Sequence, residues 1–137
     1  MDDAKRDLIR AWLVKSRNDL DTARQISLLP EGHLDTAIYH CQQAAEKAVK
    51  AFLIHHGARY ERTHDIEVLV DLASAIEPTF SQLADPADAL TPYASRFRYP
   101  NAAFAMEPQA AEFDEALQPA QRVFDFVFNL LPTEARP

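Results

Sequence analysis

The chain has 137 residues, of which 47% are apolar, and this size suits one domain with a single hydrophobic core. Only two residues are glycine, whereas a β-rich fold of this length usually needs more turn glycines, so the composition favours a few long helices. The net charge of −7 argues against non-specific coating of DNA, and no segment has the ~18 consecutive apolar residues that a membrane span needs.

The charge is uneven along the chain. Residues 1–62 hold ten basic and nine acidic side chains, whereas residues 63–137 hold four basic and twelve acidic ones. A local basic cleft could still bind RNA or a nucleotide, and its candidate side chains are Arg59, Arg62, Arg96 and Arg98.

The cellular compartment is indicated by the single cysteine and by the first residues. Cys41 has no partner for a disulfide within the chain and suits a reducing environment. The acidic start, Met1-Asp2-Asp3, lacks the apolar run of a signal peptide. We therefore expect a cytoplasmic protein.

The first two predicted helices are long and amphipathic. The first runs from about Ala4 to Ser27 and is ended by the Pro30–Gly32 segment. The second runs from about Leu34 to His56, with Gly57 as a natural C′ residue. Its alanines favour helix and allow a neighbouring helix to approach closely. Polar residues form a strip on this second helix, either a solvated face or the wall of a cleft or partner surface: Gln42, Gln43, Glu46, Lys47 and Lys50.

The third predicted helix begins at Thr63, whose hydroxyl can cap free backbone N–H groups, and ends at Pro78. Asp65 and Glu67 then place negative charge at the positive end of the helix dipole. Five apolar residues are predicted to form its inward stripe: Ile66, Leu69, Val70, Ala73 and Ile76.

The segment from Phe80 to Tyr99 contains two pairs that can start a helix, Asp85-Pro86 and Thr91-Pro92. Either one helix is kinked at Pro92, or a short helix is followed by a second one. We expect helix as far as about Phe97 and a loop after it.

The last predicted helix runs from about Gln109 to Leu131. Six apolar residues repeat at alternating spacings of four and three and form a seam: Phe113, Leu117, Ala120, Phe124, Val127 and Leu131. Other apolar residues lie off this seam, so the helix needs burial inside the domain or in a dimer.

The predicted fold is all-α, an up-and-down antiparallel bundle of four to five helices. One domain is expected over residues 1–131, with a disordered tail over 132–137.

Arg96-Phe97-Arg98-Tyr99-Pro100 is the first candidate site, with Tyr93 shortly before it. Arginine forks bind phosphate bidentately, and a tyrosine ring can stack on a base. These residue types therefore predict binding of a nucleotide or RNA. The structural alternative is that Arg98 pairs with an acidic residue of a neighbouring helix while Tyr99 covers the core.

His64 is the second candidate. It opens the third predicted helix, where the helix dipole favours a neutral imidazole that can act as a general base. Arg59 lies five residues earlier, and Arg-x4-His is the spacing of an RNA-cleaving pair in which arginine stabilises the phosphorane. The alternative is that His64 only caps or packs the start of the helix.

Other common sites are missing from the sequence. His40, His55 and His56, with one cysteine, do not form a recognisable metal set, and we expect no metal; His40 is interpreted as a packing residue. The sequence has no Walker loop, no Gly-x-Gly-x-x-Gly and no Gly-x-Ser-x-Gly, and we expect no cofactor. Cys41 lies in an apolar stretch that is unsuited to a nucleophile.

These elements and motifs together resemble the HEPN domain family, in its short prokaryotic branch, over about Ala4 to Leu131. The resemblance is carried by four stretches of the sequence. They are Ala37–Ala51 with its Gln42-Gln43 pair, Thr63-His64-Asp65, Leu90–Ala94 and Arg98-Tyr99-Pro100.

The resemblance implies a helical bundle that usually forms a homodimer and acts beside a minimal nucleotidyltransferase in two-component, toxin–antitoxin-like modules. Many members are metal-independent RNases with an Arg-x4-6-His motif in the dimer cleft. In this chain Ala102–Ala105, which follow Arg98 at about that spacing, include no histidine. We therefore expect a non-catalytic member that binds a nucleotide or single-stranded RNA through Tyr93, Arg96, Arg98 and Tyr99.

Two alternatives remain open from the sequence. One is an endoribonuclease in which His64 and an arginine such as Arg98 are the catalytic residues. The other is a pure protein-interaction module in which Arg98 forms a structural ion pair.

Overall fold

The computed structural model describes residues 1–60, 62–94, 96 and 107–137, and every regular element within these ranges is helical. The α-helices are α1 (Asp3–Leu28), α2 (Leu34–His55), α3 (Ile66–Ile76), α4 (Ala84–Leu90) and α5 (Ala110–Leu130). Short 3₁₀ helices cover Pro78–Leu83, Thr91–Ala94 and Thr133–Ala135. The predicted all-α fold is confirmed. None of these helices is both long enough and apolar enough to cross a membrane.

Helix α2 lies at the centre of the bundle and packs against α1, α5 and α3. Its alanines at 44, 45 and 48 are completely buried, and such small side chains let neighbouring helices approach closely. Ser16 of α1 donates its hydroxyl hydrogen to the carbonyl oxygen of Ala44 at 2.6 Å, which satisfies a buried polar group between the two helices.

The end of α2 follows the sequence prediction. Gly57 has a φ of +64°, the left-handed conformation that glycine adopts without steric cost. The N–H of Gly57 donates to the carbonyl of Ile54 at 3.0 Å, and that of Ala58 donates to the carbonyl of Leu53 at 2.9 Å. This pattern is a Schellman motif, which turns the chain out of the helix.

The start of α3 differs from the prediction at Thr63. Asp65 is the N-cap residue, and its carboxylate accepts the N–H of Glu67 at 3.0 Å. Thr63 instead accepts the N–H of Asp65 at 3.0 Å and so stabilises the turn before the helix. Ile76, expected on the inward stripe, is instead 39% exposed and is the last residue of α3.

Between α3 and residue 96 the chain forms a 3₁₀ helix, then α4, then a second 3₁₀ helix at Thr91–Ala94. This arrangement matches the alternative of a short helix followed by a second segment. The predicted start at Asp85-Pro86 lies instead within the first turn of α4, since the 3₁₀ helix over Pro78–Leu83 leads directly into α4. The predicted helical end at Phe97 lies outside the described residues.

Helix α5 buries most of its predicted seam, and Pro119 lies within it without ending it. Val123, which lies off the seam, is fully buried, whereas Leu117 is only partly buried. The buried face is therefore wider than a two-heptad seam, because α5 packs on α2, α4 and α1.

Residues 132–137, expected as a disordered tail, fold back onto the bundle. Ala135 is completely buried in a short 3₁₀ helix. The Arg10 guanidinium donates to the Glu134 carbonyl at 2.7 Å, and the Arg136 guanidinium lies 5.1 Å from the ring centroid of Phe128. These contacts bind the end of the chain to α1 and α5.

Candidate functional site

A buried carboxylate on α2, that of Glu46, is the centre of a polar cluster between α2 and the loop before α3. Glu46 is only 2% exposed. Its Oε1 accepts from Lys50 Nζ at 2.6 Å, and its Oε2 accepts from Gln43 Nε2 at 3.1 Å and Gln42 Nε2 at 3.2 Å. His64 Nδ1 lies 3.0 Å from Oε1 and 3.2 Å from Oε2. A buried charge needs partners of this kind, and these five residues are called the Glu46 cluster below.

Gln42 fixes the backbone of the same loop. Its side chain is completely buried, and its Nε2 donates to the carbonyl oxygen of His64 at 2.8 Å. Its Oε1 in turn accepts from Gln43 Nε2 at 2.8 Å. Both the main chain and the side chain of His64 are therefore held by α2. A solvated face, one of the two interpretations of the polar strip, is wrong for Gln42 and Glu46.

The contact with Glu46 also decides which nitrogen of His64 is available for chemistry. An ionised carboxylate only accepts hydrogen bonds, so the Nδ1 that faces it carries a hydrogen. In the neutral imidazole the lone pair is then on Nε2. The His64 side chain is 53% exposed. A carboxylate thus orients an accessible imidazole, which is the arrangement of a general base.

Two basic side chains precede His64 in the loop between α2 and α3. Arg59 and Arg62 are exposed. The Lys50 ammonium, although bound to Glu46, also lies 5.8 Å from the ring centroid of Tyr60. Arg59 and Arg62 therefore place two exposed guanidinium groups in the loop that carries His64.

A second polar group connects the Thr91–Ala94 turn to α5. An Arg96 guanidinium nitrogen lies 2.9 Å from Glu112 Oε1, and the Tyr93 hydroxyl donates to the same oxygen at 3.4 Å. The Arg96 guanidinium also lies 5.9 Å from the ring centroid of Tyr93. Tyr93 is buried, which raises its phenol pKa, and the negative charge of Glu112 raises this pKa further.

The predicted binding residues are thus only partly placed. Tyr93 and Arg96 lie together at the Glu112 carboxylate, whereas His64 lies at Glu46 on α2. Arg98 and Tyr99 fall outside the described residues. The roles of these side chains in binding or catalysis stay predictions.

A third polar group, between α1 and α2, was missed by sequence reasoning. Asp19, only 8% exposed, lies 2.8 Å from His40 Nδ1 and accepts from Lys47 Nζ at 2.6 Å. His40 therefore belongs to a polar group as well as to the packing of α2. The sequence held one indication of this group, because Asp19 lies on the buried side of α1 with Leu20 and Ala23.

Among the described residues, His33, Asp35 and Glu107 offer possible metal-ligand atoms within 4.8 Å of one another. They lie at the N-terminus of α2, whose partial positive charge opposes a cation, and we assign no ion to them. Burial raises the pKa of the Cys41 thiol to about 12, so this cysteine is not a nucleophile at neutral pH.

The model of the HEPN domain family matches residues 9–130 of this chain. The chain belongs to the HEPN domain family. The matched region includes the whole Glu46 cluster and the Arg96–Glu112 pair, so both are parts of the HEPN domain itself.

Two solved structures are similar to this HEPN chain. TT1696 from Thermus thermophilus is 29% identical with a TM-score of 0.76, and the match covers 91% of this chain and 99% of that one. ST0689, described as an archaeal HEPN homologue, is 25% identical with a TM-score of 0.69, with coverage of 89% and 96%. A comparison with curated proteins gives no match.

Proposed function

We propose that this HEPN chain is the RNA- or nucleotide-binding component of a two-component, toxin–antitoxin-like system and acts with a minimal nucleotidyltransferase. The observation that supports binding is the exposed His64 imidazole, which buried Glu46 holds in the same loop that carries the exposed Arg59 and Arg62. Cationic side chains on a fixed loop suit a phosphate group, because arginine donates bidentately to its oxygens. The family membership supports the partner class.

The chain itself is proposed to be non-catalytic. Its sequence has no histidine at the expected positions after Arg98. The nearby Arg96 guanidinium already forms an ion pair with Glu112 at 2.9 Å. Binding that involves Arg96 would therefore have to compete with this carboxylate.

A metal-independent endoribonuclease is the second candidate, and the contact between His64 and Glu46 favours it. With Nδ1–H directed at the carboxylate, Nε2 could take the proton of a ribose 2′-hydroxyl. The 2′-oxygen would attack the adjacent phosphorus and form a cyclic phosphate as the bond to the 5′-oxygen breaks. The 5′-oxygen would take a proton from water, and the hydroxide so formed would take the proton held by His64. Arg59, five residues before His64, is the candidate for stabilising the charge on the phosphorus oxygens.

Incubation of the purified chain with end-labelled single-stranded RNA in the presence of a metal chelator distinguishes these functions. The variants are His64→Ala, Arg98→Ala and Glu46→Gln. His56→Ala is the control, since His56 is exposed and lies outside the Glu46 cluster. Retention of intact RNA, with binding weakened by Arg98→Ala or His64→Ala, supports the binding component.

The other outcomes identify the alternatives. Cleavage that His64→Ala abolishes, and that His56→Ala does not change, would make the chain an endoribonuclease. Neither binding nor cleavage would leave a pure protein-interaction module. Partnership is tested separately by co-expression with a candidate minimal nucleotidyltransferase, and two proteins that elute apart during size-exclusion chromatography would contradict the two-component proposal.

A further inference from the structure

Helix α3 is apolar on its outer side as well as on its inner side. Ile66, Leu69, Val70 and Ala73 are buried against the bundle. The outward positions Val68, Leu72 and Ile76 are 43%, 36% and 39% exposed. They are spaced by four residues, so they form one row along the helix. An apolar row on the solvent side of a short helix is typical of a surface that another molecule covers.

Acidic side chains border this row. Asp71, next to Leu72, is exposed, and Glu67 lies one turn before Asp71. The neighbouring carboxylate of Asp88, on α4, raises the pKa of Glu67. Among the described parts of the chain, no lysine or arginine forms an ion pair with these three carboxylates. The border of the row is therefore acidic within the described parts of the chain.

We propose that the outer face of α3 is a docking surface for a basic amphipathic helix of another protein. The row of Val68, Leu72 and Ile76 would receive the apolar stripe of that helix, and Glu67, Asp71 and Asp88 would pair with its lysines or arginines. Opposite charges across such an interface select the partner and accelerate association. This surface uses none of the residues proposed to bind RNA or a nucleotide, and the docking proposal does not depend on them.

The charge also argues against a second copy of the chain docking through this same face. In a symmetric pair each surface patch meets its own copy, so the acidic border would meet another acidic border. Like charges placed opposite each other oppose association. Val68 and Ile76 are eight positions apart, which is about 12 Å along the helix, or roughly two turns of a partner helix. A contact of this size suits a reversible complex.

The probe for this surface is a synthetic helical peptide of about four turns, with leucines along one side and lysines beside them. A second peptide carries glutamates at the lysine positions. Binding to the full chain is measured by fluorescence anisotropy, and the contact is located by changes in amide NMR signals. We expect the lysine peptide to bind, with the largest changes in residues 65–77 and 84–90.

Matched variants make the test specific. Leu72→Ser should weaken binding of the lysine peptide by about tenfold or more. Leu8→Ser, which changes a similarly exposed leucine of α1, should leave binding unchanged. Asp71→Lys should weaken binding of the lysine peptide and strengthen binding of the glutamate peptide. All three changed residues are at the surface, and circular dichroism checks that each variant is folded.

Three results would overturn the proposal. The glutamate peptide could bind as tightly as the lysine peptide, so that charge plays no part. Binding could be unaffected by both Leu72→Ser and Asp71→Lys, so that the contact lies elsewhere. Sedimentation of the protein alone could reveal a dimer that Leu72→Ser dissociates, which would make a second copy the occupant.

Discussion

His64 and Glu46 bind each other from two elements that are eighteen residues apart in the chain, with Nδ1 of the imidazole 3.0 Å from Oε1 of the carboxylate. The carboxylate is buried on α2, whereas the imidazole is about half exposed in the loop before α3. Because Gln42 also holds the His64 carbonyl, α2 determines where this loop lies. The same contacts therefore contribute to both the stability of the bundle and the geometry of the candidate site.

Replacement of the central carboxylate should destabilise the fold. Glu46→Gln leaves the Lys50 ammonium, whose side chain is only 11% exposed, beside a neutral amide. Removal of one partner of a buried ion pair costs about 3–5 kcal/mol. We expect a loss of this size in the free energy of unfolding, measured by urea denaturation.

A double variant checks the cause of that loss. Glu46→Gln combined with Lys50→Met leaves neither charge buried, so it should recover much of the lost stability. Glu31→Gln is the control, because Glu31 is exposed. An unchanged unfolding free energy in Glu46→Gln alone would show that the cluster does not stabilise the fold.

His55 should make the protein less stable in mild acid. Its Nδ1 is buried without a hydrogen-bond partner among the described residues. Burial lowers the pKa of His55, and the positive charges of His56, Lys5 and the N-terminus lower it further. The unfolded chain protonates this side chain near pH ~6.5, whereas the folded chain does so at lower pH.

The sign of the effect follows from proton binding. Below pH ~6.5 the unfolded state binds more protons at His55, so the free energy of unfolding falls as the pH falls towards the folded-state pKa. His55→Gln should reduce this slope in urea denaturation between pH 7 and pH 5, roughly the range in which histidine titrates. His33→Gln, at an exposed histidine, should retain it. Equal slopes in the native chain and His55→Gln would contradict the prediction.

The phenol of Tyr93 should ionise above its ordinary pKa of about 10. Burial is the main cause, and the Glu112 carboxylate is the second. A pH titration followed by tyrosinate absorbance should show one phenol that ionises at higher pH than an ordinary tyrosine, and Tyr93→Phe should remove that ionisation step. Glu112→Gln should lower the pKa of Tyr93 without restoring it fully, since burial remains. A step that is unchanged in Glu112→Gln would mean that the carboxylate does not act on the phenol.

The long helices could be predicted from the sequence because local signals agree there. Periodic apolar residues define α1, α2 and α5 to within about one residue at each end, and Gly57 ends α2 as expected. The start of α3 was misplaced because both Thr63 and Asp65 are good caps. The choice between them depends on Gln42, which holds the His64 carbonyl and so fixes the loop from another helix.

The candidate site was harder to predict because it depends on contacts between distant elements. Helical spacing placed Gln42 and Glu46 on a polar strip, but it does not indicate that a loop covers that strip. The pairing of Arg96 with Glu112 likewise depends on how α5 packs beside the Thr91–Ala94 turn. His64 was expected to open α3 but lies in the loop just before its N-cap, Asp65, and its carboxylate partner, eighteen residues earlier, was not expected.

The two glycines should respond differently to alanine, although both lie at the ends of helices. Gly57 has positive φ but open space around an added Cβ, so Gly57→Ala should cost only about 1 kcal/mol from backbone strain. An added Cβ at Gly32 would overlap the carbonyl oxygen of Ile26, which cannot move without disturbing the end of α1. Gly32→Ala should therefore cost about 2 kcal/mol or more.

Urea denaturation of the two alanine variants and of Gly57→Asn tests this contrast. Asparagine tolerates the left-handed conformation better than alanine, so Gly57→Asn should be more stable than Gly57→Ala. Gly32→Asn is not expected to be more stable than Gly32→Ala, because the asparagine Cβ would also overlap the carbonyl oxygen of Ile26. A Gly32→Ala variant as stable as the native chain would show that the turn after α1 adjusts easily, and that close backbone approach does not require glycine there.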